Sequence, residues 1–121
     1  MRKEILIIDD NELNRRLFRD VLISEGFEAI DSPNGGDAQK LALNLSPDLI
    51  VMDMCMPDLD GIEATRMLKR DHRLEGIPVI AVTALRGEEH AAKAKEEGCA
   101  DYLLKPVSIP GFLKSVNHCL N

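Results

Sequence analysis

Five short apolar runs alternate along this chain with segments in which apolar residues recur every three or four positions. Glu4 to Ile8 (EILII) predicts a buried strand, ended by Asp9 and Asp10. Asn11 predicts the cap of a helix carrying Leu13, Leu17, Phe18, Val21 and Leu22 inward, with Arg15, Arg16 and Arg19 on the other face and Gly26 ending it. Phe27 to Ile30 reads as a short, more exposed strand. Asn34-Gly-Gly leads into a helix with Ala38, Leu41, Ala42 and Leu45 inward, stopped by Ser46-Pro47. Asp48 to Met52 (DLIVM) predicts a third strand ending at Asp53. Gly61 opens a helix through Ile62, Thr65, Met67 and Leu68 to about His72. Pro78 to Val82 (PVIAV) is a fourth strand, ending at Thr83. Gly87 to Glu97 forms a short, charged helix with only Ala91, Ala92 and Ala94 to bury, and is expected to be the most mobile element. Asp101 to Leu104 (DYLL) is the fifth strand, before Lys105-Pro106. A last helix from about Ser108 carries Phe112, Leu113, Val116 and Leu120.

Strict alternation of strand and helix predicts an α/β domain: a doubly wound parallel sheet of five strands, covered on both faces by five helices. Residues 1–121 make one domain, without internal repeat, linker or low-complexity tract. A hydrophobic content of 45% against 30% charged residues is that of a soluble globular protein. The formal charge is −6 and no run of Lys or Arg forms a basic patch, which argues against direct nucleic-acid binding. Three widely spaced cysteines, Cys55, Cys99 and Cys119, indicate neither a disulfide framework nor a zinc pair, and a reducing cytoplasm fits best. The N-terminus reads as a first strand rather than a signal peptide, and no apolar run approaches the length of a membrane span.

The chemistry lies where the strands end. In a parallel α/β sheet the carboxyl ends of the strands share one edge, the edge at which such folds bind ligands. Asp9, Asp10, Asp53, Thr83 and Lys105 all fall there. Each has an ordinary explanation: helix capping for an Asp pair, a turn for Asp53, β-branching for Thr83, a surface ammonium for Lys105. Together, three carboxylates repel one another unless a divalent cation sits between them, and one Lys offsets a single charge. Magnesium prefers octahedral oxygen ligands and is typically held by one or two carboxylates plus a phosphate. Asp10, Asp53 and a backbone carbonyl just past Asp53 would meet that need. A carboxylate such as Asp53 can accept a phosphoryl group as an acyl phosphate, Thr83 can donate to a phosphoryl oxygen, and Lys105 can pair with its charge. Lys105-Pro106 is an X-Pro bond and a candidate for the cis form.

With these residues in view the sequence resembles response-regulator receiver (CheY-like) domains, from Lys3 to the last helix. The resemblance is carried by Ile7-Ile8-Asp9-Asp10, Asp48-Leu49-Ile50-Val51-Met52-Asp53, Met56-Pro57-Asp58-Leu59-Asp60-Gly61, Pro78-Val79-Ile80-Ala81-Val82-Thr83-Ala84, Gly98-Cys99-Ala100-Asp101-Tyr102 and Lys105-Pro106. It implies a flavodoxin-like (βα)5 fold with strand order 2-1-3-4-5. It implies Asp53 as phosphoacceptor, Asp10 as a direct Mg2+ ligand, Asp9 as a ligand through water and the Cys55 carbonyl as the third protein contact. Thr83 and Lys105 would hold the phosphoryl group. Tyr102 would be a switch aromatic that moves inward as Thr83 is drawn toward it, and the small Ala84 would leave room for access.

The function so implied is a phosphorylation-dependent signalling switch in a two-component phosphorelay. It would be charged by a histidine kinase or a histidine-phosphotransfer protein and read out through protein contacts at helix 4, strand 5 and helix 5. Asn11, Asn14 and Arg15, on the helix beside the acids, are expected docking positions for the phosphodonor. Cys55 and Leu85 flank the attacking water in this family, and neither orients it well, so slow self-dephosphorylation is expected. Cys99 and Cys119 read as buried small hydrophobes, and His72, His90 and His118 as surface residues. A receiver excised from a hybrid kinase or larger regulator has the same residues. An aspartyl-phosphate phosphohydrolase would place a second Asp where Cys55 stands, and an FMN carrier would be repelled by Asp10-Asn11-Glu12. A scaffold without chemistry is disfavoured because every reactive residue is present.

Overall fold

In the computed structural model, which describes residues 2–56, 61–85 and 87–121, the apolar runs become five strands. These are β1 (Glu4–Ile8), β2 (Glu28–Ser32), β3 (Leu49–Asp53), β4 (Val79–Thr83) and β5 (Asp101–Leu104), paired in parallel in the order β2-β1-β3-β4-β5. Between and after them lie α1 (Glu12–Ser24), α2 (Ala38–Leu45), α3 (Gly61–Arg70), α4 (Glu88–Glu96) and α5 (Ile109–Leu120), with a 3-10 turn at Gly35–Asp37 leading into α2. The predicted fold class and strand order are those observed. The Pro57-Asp58-Leu59-Asp60 part of the resemblance lies outside the described residues.

Alternation along the strands divides the core in two. Ile5, Ile7, Leu49, Val51, Ile80 and Val82 face α1 and α5, where Phe18 stacks on Phe112 with ring centroids 4.5 Å apart. Leu6, Ile8, Ile50, Met52, Val79 and Ala81 face the other way, toward Ala38 and Ala42 of α2, Ala64 and Leu68 of α3 and Ala94 of α4. The residues of β1, β3 and β4 are buried from both sides except Glu4, as expected of inner parallel strands.

Three details depart from the sequence reading. Leu13 and Leu17 are 75% and 43% exposed rather than inward. At 3.6 residues per turn they stand about 140° and about 100° round the helix from Phe18, beyond the buried stripe of Phe18 and Leu22. Strand β2 runs on to Ser32, because Asp31 and Ser32 pair with Ile7 and Ile8, residues whose own propensity gives no hint of it. In α4 only Ala94 is buried, while Ala91 and Ala92 line an open groove of about 440 Å³ against β5. A methyl group is too short to reach across it.

Candidate functional site

The carboxyl edge of the sheet brings the predicted residues together. Asp9 follows β1 and is 2% exposed; Asp53 ends β3 and is 3% exposed; Asp10 is exposed beside them. One carboxylate oxygen from each of the three lies within 4.8 Å of the other two. Lys105, directly after β5, sets its Nζ 3.3 Å from Asp53 Oδ2 and 3.5 Å from Asp9 Oδ2. The Lys105-Pro106 peptide is cis. Three carboxylates against one ammonium leave two negative charges, the deficit that a divalent cation matches.

Local turns fix these groups. Asn11 N–H donates to Asp9 Oδ1 at 2.9 Å, and Cys55 N–H donates to Asp53 Oδ1 at 3.0 Å. Each Asp therefore closes a turn with one oxygen and presents the other to the cluster. Asp9 Oδ2 is buried with no hydrogen-bond partner among the described residues. The Lys105 ammonium at 3.5 Å offsets part of its charge but makes no hydrogen bond to it, so a further cation or its water would complete the oxygen. Burial raises the Asp53 pKa above its ordinary 3.8, and the Asp9 charge adds to the rise, against the Cys55 N–H and Lys105, which lower it. An all-oxygen, anionic, orphan-bearing cluster fits a hard divalent ion.

Thr83 ends β4, and its Oγ1 accepts the Leu85 N–H at 3.1 Å. That leaves its proton available to an incoming oxygen. Its present neighbour is Cys55 Sγ at 3.4 Å. The Tyr102 hydroxyl donates to the Leu85 carbonyl at 2.7 Å. One peptide segment at Leu85 thus joins the Thr83 hydroxyl to the Tyr102 hydroxyl. Both residues line a cavity of about 170 Å³ with Met54, Ile62, His90 and Lys93. His90 is half-buried there rather than a free surface residue. The connection at Leu85 runs through main-chain atoms, so no side-chain pattern in the sequence could have revealed it.

The helix beside the acids begins as its sequence predicts. Asn11 Oδ1 accepts the Asn14 N–H at 3.0 Å and caps α1, while the residue itself stays exposed. The Arg15 guanidinium is only 14% exposed and is held by Asp31 and by the Asp9 carbonyl. Burial pushes the Cys99 and Cys119 thiols up, which keeps both protonated and inert, although Cys119 is only half-buried.

Comparison with known proteins agrees with this geometry. The profile of the response regulator receiver domain matches residues 5–117. The polar-differentiation response regulator DivK of Brucella anthropi is 42% identical over 120 residues, covering 99% of this chain and 98% of the relative. DivK of Brucella ovis is equally similar. Among solved structures, the chemotaxis protein CheY4 of Vibrio cholerae superimposes with a TM-score of 0.93 at 23% identity, covering 99% of this chain and 100% of that one, which speaks to fold alone. The receiver domain of a signal transduction histidine kinase from Syntrophus aciditrophicus gives 0.88 at 30% identity over 98% of this chain and 89% of its own. With an acid cluster, Thr83 and Lys105 on one sheet edge and a matching profile over nearly the whole length, the chain belongs to the response regulator receiver domain family.

Proposed function

We propose that this receiver works as a phosphorylation switch in which Asp53 takes a phosphoryl group from a phosphohistidine with Mg2+ at the Asp9-Asp10-Asp53 cluster. The observation that carries the reading is the paired state of Asp53: one oxygen in a turn with the Cys55 N–H, the other 3.3 Å from Lys105 Nζ. The ammonium holds the nucleophile and is free to follow charge onto the phosphoryl oxygens. Asp10, Asp53 and the Cys55 carbonyl would hold the metal directly, with Asp9 acting through water. The ion lowers repulsion between the incoming phosphoryl group and the carboxylates. Most of the remaining catalysis is positioning.

In the balanced step, an Asp53 carboxylate oxygen bonds to phosphorus as the bond from phosphorus to the donor imidazole nitrogen breaks, and the imidazole leaves with the electron pair. Thr83 then donates its hydroxyl proton as a hydrogen bond to a phosphoryl oxygen, giving up Cys55 Sγ. Since Leu85 joins Thr83 to Tyr102, that movement reaches the face of α4, β5 and α5, where a downstream protein would read it. On α1, Leu13 and Leu17 stand exposed at i and i+4 beside Asn14, an apolar pair that suits a helical histidine kinase or histidine-phosphotransfer protein as donor. Three free cysteines are consistent with work in a reducing cytoplasm. Hydrolysis of the acyl phosphate by the domain itself is the only turnover we assign it.

The test is phosphotransfer from a panel of kinases of the host, with wild type and Asp53→Ala. Magnesium-dependent label on wild type alone is expected. Wild type that takes label from no donor, and none from acetyl phosphate, would overturn the reading.

A further inference from the structure

Behind the acid cluster two guanidiniums converge on one carboxylate. Arg15 Nε lies 3.0 Å from Asp31 Oδ2 and Arg19 Nη1 lies 3.2 Å from Asp31 Oδ1. Arg15 also turns Nη1 onto the main-chain carbonyl of Asp9, at 2.9 Å. The Asp9 N–H in turn donates to the Ser32 carbonyl at 3.2 Å. Both polar ends of the Asp9 main chain are therefore held, one by strand β2 itself and one by an arginine that β2 secures through Asp31. The Asp9 carbonyl belongs to the peptide that leads into Asp10, so its orientation decides where both carboxylates point.

Charge sharpens the point. Arg15 is a permanent cation hydrogen-bonded to the carbonyl of the Asp9–Asp10 peptide, and Asp10 is exposed. Released from Asp31, a guanidinium at that peptide would compete with a metal ion for the neighbouring carboxylate.

We propose that Arg15 and Asp31 are a positioning pair for the divalent-cation site. Arg15 fixes the Asp9-Asp10 peptide, and Asp31 keeps the Arg15 guanidinium on the Asp9 carbonyl and off Asp10. Arg19 shares the carboxylate but touches nothing in the cluster, so it contributes to stability alone. The inference rests on the metal reading above.

The experiment titrates Mg2+ alone into the unphosphorylated protein, followed by calorimetry and by the Asp9 and Asp10 amide resonances. Melting in EDTA reports stability separately. Groups that orient metal ligands typically change affinity about 10–100-fold when removed. Arg15→Met is expected to weaken Mg2+ binding about tenfold and Asp31→Ala, which also frees the arginine, toward a hundredfold. The double variant should match Arg15→Met, because without the arginine nothing remains to compete. Asp31→Glu should recover most of the affinity, and Arg19→Ala should lower the melting temperature with affinity unchanged. Arg15→Met and Arg19→Ala carry the test if Asp31→Ala does not fold. Arg15→Met with wild-type affinity, equal losses from Arg15→Met and Arg19→Ala, or Asp31→Ala no weaker than the double variant would each overturn the pair. Wild type that binds no Mg2+ would instead overturn the metal reading itself.

Discussion

Asp53 is held in a state that suits reaction better than stability. Burial raises its pKa above 3.8, so the folded protein takes up a proton there more readily than the unfolded chain does. Its contribution to stability is therefore complete below pH 3.8 and is lost as pH rises through the raised folded value. In metal-free buffer Asp53→Asn should melt above wild type at pH 7, because it removes the buried charge that the raised pKa reports. The gap should close as the pH is lowered toward 3.8, and a gap of constant size in thermal melts would contradict the assignment. Cys55 is exposed with its thiol on Thr83, and Leu85 is 44% exposed with an apolar side chain. A thiol and an apolar group offer little hydrogen bonding to orient a water in line with an acyl phosphate. The phosphorylated protein should lose its label slowly, and a half-life of seconds in a chase with unlabelled buffer would count against this.

At the scale of elements, the start of α3 is pressed against the end of β3, which carries Asp53. A Cβ on Gly61 would sit 2.5 Å from Met54 Cα and 2.7 Å from the Asp53 carbonyl oxygen, both main-chain atoms that cannot yield alone. Gly61→Ala should cost about 1–3 kcal/mol in urea unfolding and slow phosphorylation together, since the same backbone carries Asp53. The end of α2 offers the opposite case. Ser46 holds φ at 47°, in the left-handed region, as the residue that ends the helix. Ser46→Gly should gain about 0.5–1 kcal/mol with no effect on phosphorylation, because this turn is remote from the cluster. Helix α1 joins both concerns: its inward face packs Phe18 and Leu22, its outer face shows Leu13 and Leu17, and Arg15 reaches back to Asp9.

For the whole molecule, an ion held at the cluster would couple stability to metal. An ion that binds only the folded state stabilises it by RT ln(1 + [L]/Kd), about 2.7 kcal/mol at a hundredfold excess over Kd. Raising Mg2+ should therefore raise the wild-type melting temperature progressively, reversing its deficit against Asp53→Asn, which should respond far less. Equal responses from the two proteins in thermal scans would place the ion elsewhere. The same edge of the sheet connects outward through Thr83, Leu85 and Tyr102 to the α4 groove, so a shift of Thr83 has a short physical path to the surface.

The strand runs, their alternation with helical periods, and the five chemical residues at the strand ends were legible in the chain itself. Periodicity and strand burial are local properties, and a parallel sheet then brings strand ends to one edge without further information. Side-chain exposure on α1 was not legible, because Leu13 and Leu17 satisfy a helical period yet lie beyond the stripe that the sheet covers. Nor were the Arg15–Asp31 pair, the extension of β2 to Ser32, or the Leu85 connection. These depend on where separate segments meet and on main-chain atoms that every residue shares. The sequence by itself determined the reactive groups and their common edge. Only the tertiary structure decided which neighbours hold those groups in place, because such contacts arise from packing between elements and leave no period in the chain.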